Sequence, residues 1–137
     1  MVRPEVLRRR LTKLDEYLAI LKDLASSDRG EFISSPQLYG SAERFLQLAV
    51  EALLDMGSHV VSELGLGSIE AYRDIPRLLH EHGYVPAGLA ECWVRMIGFR
   101  NILVHEYLDI DRRIVHEVLV GHHRDLEDLR DVFLGFL

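Results

Sequence analysis

The sequence predicts an all-α protein: an up-and-down bundle of four to five helices in a single domain, 1–137. Three observations lead there. Leucines recur at spacings of four and three near the start of the chain, the period of one helix face. Proline stands where two later helices would begin, in Ser35-Pro36 and in Gly83-Tyr84-Val85-Pro86. No segment alternates apolar and polar residues as a half-buried strand does.

Leu7, Leu11, Leu14, Leu18 and Leu21 form one stripe, with Arg8, Arg9, Arg10, Lys13 and Lys22 largely elsewhere, so the first helix is amphipathic. Ser26 to Gly30 reads as a connection. Ser35 then offers an N-cap ahead of Pro36, and a helix runs to about Leu64. It carries two apolar stripes, one with Ala42, Phe45, Ala49, Ala52 and Met56, the other with Leu46, Val50, Leu53, Val60 and Leu64. Apolar on two sides, it should pack on more than one neighbour or on a second subunit. Gly65 and Gly67 break the pattern. A shorter helix is expected over Ile69 to His82, interrupted or started near Pro76. From about Pro86 a long helix follows, with Leu89, Trp93, Met96 and Leu103 inward. Asp109 and Asp111 offer caps for a last helix through Val115, Val118, Leu126, Leu129 and Phe133. Long helices joined by short links favour antiparallel neighbours.

Composition narrows the function. The apolar fraction of 48% and charged fraction of 28% are ordinary for a globular chain. A formal net charge of −6 argues against broad, sequence-independent attraction to nucleic acid, while leaving room for a local basic site. Cys92 is the only cysteine, which suits a reducing compartment. No secretory leader is evident, and no run approaches the ~20 apolar residues of a bilayer span, so a cytoplasmic location without membrane contact is expected. There is no His-Glu-x-x-His pair and no glycine-rich phosphate loop, so neither a metal nor a cofactor is expected. Arg8-Arg9-Arg10 reads as an exposed helical face, and His59, His80, His82, His116, His122 and His123 as helix-face, helix-end or interface residues.

The helix from Pro86 holds the anomaly. Its inner stripe continues from Met96 to Arg100, Leu103 and Tyr107, so a guanidinium stands where an apolar residue belongs. It must meet a carboxylate, a phosphate or a solvent cleft. Asn101 and His105, four residues apart, share one helix face. Arg100 and His105 are not aligned on an ideal helix, so cooperation needs side-chain reach, a distorted helix end or a second copy of the chain. A purely structural reading pairs Arg100 with Glu106, Asp109 or Asp111.

Arg100-Asn101-Ile102-Leu103-Val104-His105-Glu106-Tyr107 resembles the signature of the HEPN superfamily, an arginine followed by four to six residues and a histidine. Asn101 and Tyr107 resemble its HepT branch. Glu43-Arg44-Phe45-Leu46-Gln47-Leu48-Ala49-Val50-Glu51 is similar to that branch's second helix, and Tyr72-Arg73-Asp74 and Met96-Ile97-Gly98-Phe99 also fit it. The resemblance implies a homodimeric helical bundle, the toxin of a prokaryotic toxin–antitoxin pair. It implies a minimal nucleotidyltransferase (MntA-like) as antitoxin and RNA as substrate. Metal-independent RNA cleavage would rest on Arg100 and His105, and Tyr107 would match the tyrosine to which the partner can transfer AMP.

The chemistry fits those residue types. Attack of a ribose 2′-hydroxyl on the adjacent phosphorus needs a base, an acid for the leaving 5′-oxygen and positive charge at the phosphoryl oxygens. Histidine serves as acid or base near neutrality, and arginine grips two phosphoryl oxygens. Asn101 would orient the histidine or the phosphate, and two chains would supply two histidines to one cleft. Arg95, Arg112 and Arg113 are candidates to widen a basic cleft. The alternative is a non-catalytic module that docks a nucleotidyltransferase or binds a nucleotide.

Overall fold

The computed structural model describes residues 1–106 and 108–137, and their regular structure is entirely helical. Six helices follow in order: α1 (Pro4–Ala25), α2 (Arg29–Ser34), α3 (Pro36–Glu63), α4 (Asp74–Glu81), α5 (Ala87–His105) and α6 (Arg112–Leu134). None is long and apolar enough to cross a membrane.

The four long helices alternate in direction. Arg3 meets Glu63 and Arg10 meets Asp55, which sets α1 antiparallel to α3. Arg130 reaches Asp15 and His123 reaches the Leu18 carbonyl, which sets α6 antiparallel to α1. Glu51 pairs with Arg100 while Gly57 faces Trp93, so α5 runs antiparallel to α3. The expected up-and-down bundle is therefore present.

The leucine stripe of α1 is buried as a whole. Both apolar stripes of α3 are used within the chain, because α3 touches every other helix. That answers the question its two-sided pattern raised. At Gly57 the close approach is literal: a side chain there would collide with the Ile75 Cγ2 methyl and stand 3.2 Å from Trp93. Trp93 is fully buried and meets Phe133 edge to face, with centroids 6.0 Å apart, joining α5 to α6.

One element differs from the sequence expectation, and the structure selects between two expected forms of another. Residues 29–34, expected to begin as a connection, form α2; the Asp28 carboxylate accepts the Glu31 N–H at 3.2 Å and Phe32 is buried. One and a half turns anchored by one aromatic are too short to show a period, and they raise the helix number to six. The helix expected within Ile69 to His82 starts at Asp74, in keeping with the expected start near Pro76. The Asp74 carboxylate accepts the Glu70 and Ala71 N–H groups at 2.9 and 3.0 Å, fixing 69–73 as a turn. Of the two expected caps of α6, Asp111 does the capping, accepting the Arg113 N–H at 2.9 Å.

Candidate active site

α5 ends at His105, and the site lies on its last turns. Arg100 sits at the α3–α5 interface with its side chain only 15% exposed. It does not pair with Glu106, Asp109 or Asp111. Its Nε and Nη2 donate to Glu51 Oε1 at 3.2 and 2.8 Å, across 49 positions of sequence. The antiparallel register of α3 and α5 brings the two together, which spacing within α5 could not reveal.

Glu51 Oε1 also accepts Gln47 Nε2 at 3.1 Å. Burial alone would raise the Glu51 carboxyl, but hydrogen bonds from Arg100 and Gln47 and the charges of Arg100 and Arg44 outweigh it. The net result is a carboxyl held below its ordinary value. Arg100 Nη1 donates to Asn101 Oδ1 at 3.2 Å, and its guanidinium carbon lies 5.5 Å from the Tyr72 ring centroid. Of the five guanidinium N–H donors, Glu51 and Asn101 take three, which among the described residues leaves two facing the cleft.

Arg100, Asn101 and His105 all line one open cleft of about 660 Å³. The opposite wall is the turn 69–73, including Tyr72 and Arg73. Asn101 and His105 are exposed. The imperfect alignment of Arg100 with His105 is thus no barrier to sharing a cleft within one chain. Tyr107 lies outside the described residues.

Glu51, Tyr72 and Arg73 are the contributors that single-residue reasoning missed. Each stood in a segment resembling the HepT branch, and the fold brings those segments to one place. Arg95, Arg112 and Arg113 do not line this cleft. Arg112 stacks over Tyr39 at 4.0 Å and Arg113 pairs with Asp111 at 3.3 Å. Most other histidines have structural roles: His80 and His82 donate to the carbonyls of Val85 and Leu78, each at 2.8 Å, and His59 accepts the Arg3 N–H at 3.1 Å.

Gly98 lines the cleft, and a Cβ added there meets nothing within 4 Å. Gly98→Leu should stabilise α5 by about 0.5–1 kcal/mol through helix propensity while filling the cleft. Urea denaturation should show the gain, and a cleft-dependent activity should fall in the same protein.

The sequence profile of the HepT-like family, described as ribonuclease HepT-like, matches residues 14–132. The chain belongs to this family. A HepT relative from Shewanella oneidensis, named an mRNA nuclease, is 30% identical over 109 residues, covering 70% of this chain and 82% of that one. A second, from Aphanizomenon flos-aquae and named a tRNA nuclease, is 32% identical over 114 residues, covering 80% of this chain and 75% of that one. The HepT-like fold also superposes on the tri-AMPylated Shewanella oneidensis HEPN toxin solved in complex with its MNT antitoxin. That match has a TM-score of 0.87 at 25% identity, covering 95% of this chain and 97% of that one.

Proposed function

We propose that the whole chain works as one HEPN domain: the toxin of a toxin–antitoxin pair, an endoribonuclease that cuts RNA without a metal. The carrying observation is the cleft in which Arg100, backed by Glu51, lies with Asn101 and His105. In this reading Arg100 holds the scissile phosphate with the N–H donors that it does not spend on Glu51 and Asn101. His105 moves a proton, and Asn101 fixes the arginine's orientation from the side. Cleavage passes the 2′-hydroxyl proton to a base, forms the 2′-oxygen–phosphorus bond and breaks the bond to the 5′-oxygen, which an acid protonates. The products are a 2′,3′-cyclic phosphate and a free 5′-hydroxyl.

One His105 cannot be base and acid in the same step, so the site is completed by a second chain across a two-fold axis. Val94 and Ile102, apolar and exposed on α5 beside the cleft, favour such pairing. The names of the relatives support RNA as substrate and a nucleotidyltransferase as antitoxin. Tyr107 is the proposed acceptor of AMP, whose phosphate would repel substrate and occupy Arg100. Incubation with the cognate nucleotidyltransferase and ATP should add the mass of AMP to the wild type, with fragmentation placing it on Tyr107. The Tyr107→Phe protein should remain unmodified.

The deciding assay is cleavage of total cellular RNA in EDTA by purified wild type and by the Arg100→Ala/His105→Ala protein. Cleavage by the wild type alone is expected. Absence of cleavage by a folded, unmodified, dimeric wild type would overturn the ribonuclease reading.

A further inference from the structure

We propose that Cys92, His122 and Asp125 form a binding site for one zinc-class divalent ion, clipping α5 to α6. The site is separate from the cleft described above and does not depend on the ribonuclease reading. Cys92 comes from α5 and the other two from α6. Cys92 Sγ lies 3.6 Å from His122 Nδ1, which lies 2.9 Å from Asp125 Oδ2. One ligand atom from each residue falls within 4.8 Å of the others.

The two separations that involve His122 are close to what a small tetrahedral ion requires, and the sulfur–carboxylate separation lies within 4.8 Å. With bonds of about 2.3 Å to sulfur and about 2.0 Å to nitrogen and oxygen, tetrahedral ligand atoms stand roughly 3.3–3.6 Å apart. The sulfur–nitrogen distance already fits, and the nitrogen–oxygen pair needs to open by only a few tenths of an ångström. One thiolate, one imidazole and one carboxylate select zinc or cobalt over magnesium or calcium, which prefer oxygen alone.

The surroundings distinguish the two sides of the cluster. Cys92 is buried, whereas the His122 and Asp125 side chains are 37% and 32% exposed, leaving a face for water as the fourth ligand. Asp125 also borders a groove of about 560 Å³ lined by Asp128 and Asp131, which pair with Arg124 at 3.6 Å and Arg130 at 2.9 Å. Arg95 approaches the thiol and the Asp125 carboxylate from α5 and opposes the ion. Its removal should tighten binding several-fold. The motif was invisible in the sequence because Cys92 and His122 are 30 positions apart and belong to no metal-binding spacing.

The test is titration of reduced, untagged full-length protein with cobalt(II). Expected are one equivalent per chain, visible bands of tetrahedral cobalt, and a near-ultraviolet thiolate charge-transfer band that zinc(II) bleaches. Cys92→Ser should lose the charge-transfer band, and the more exposed Asp125→Asn should weaken binding at least tenfold with the fold intact by circular dichroism. Zinc(II) at a hundredfold excess over its Kd should raise the wild-type Tm by about 5–10 °C and leave Asp125→Asn nearly unmoved. Absence of the charge-transfer band in folded, reduced wild type would overturn the proposal. Bands unchanged in both variants would do the same, placing the ion at other histidines.

Discussion

His105→Ala is expected to cut RNA about 10²–10⁴-fold more slowly than wild type, the usual contribution of a positioned acid or base. Stability should barely change. His105 is exposed at the end of α5, and exposed substitutions of this kind typically fall within about 0.5 kcal/mol. Single-turnover cleavage beside thermal unfolding separates the two effects, and a slow variant that also unfolds early would weaken the assignment. A stronger test uses mixed dimers carrying one wild-type and one His105→Ala chain. If base and acid come from opposite chains, the mixed dimer should be nearly as slow as the dimer carrying His105→Ala in both chains. If each chain holds a complete site, it should retain about half of wild-type activity. The second result would sink the shared-site mechanism while leaving His105 catalytic.

The long helices were readable from the sequence because each buries a stripe wide enough to set a period. The five leucines of α1 all lie in the core, and the two stripes of α3 meet neighbours on both sides. What escaped, or was left open, was set by single contacts. α2 hangs on Phe32, and the start of α4 at Asp74 on one carboxylate that holds two N–H groups. The candidate site divides in the same way. The oddity of Arg100 is a local fact, since a charged residue interrupts an apolar stripe on its own helix. Its partner is not local, because any acidic residue on a helix packed against α5 was eligible. Only the α3–α5 register singles out Glu51 over the nearer Glu106, Asp109 and Asp111. The Cys92, His122 and Asp125 cluster escaped for the same reason, being an accident of how two helices meet rather than of spacing along one.

Glu51 therefore supports the second large effect. Glu51→Gln should keep the shape of the site but remove the charge that fixes Arg100, and RNA cleavage is expected to fall at least tenfold. A reacting group displaced by about 1 Å can lose on the order of 10²-fold in rate. Stability should fall by about 1–2 kcal/mol at neutral pH, the low end for charged hydrogen bonds because both partners are partly exposed. The pH dependence supplies a sign. Because the folded protein holds the Glu51 carboxyl below its ordinary value of 4.5, its stabilising contribution is complete above that value. It is lost as pH falls through the lower, folded value. Urea midpoints of wild type and Glu51→Gln should accordingly differ most near neutrality and converge in acid, once pH has fallen through the lowered folded value. A variant that loses stability but cleaves RNA at the wild-type rate would make Glu51 a purely structural partner. Faster cleavage would mean that Glu51 restrains Arg100 and that substrate must draw the guanidinium away from it.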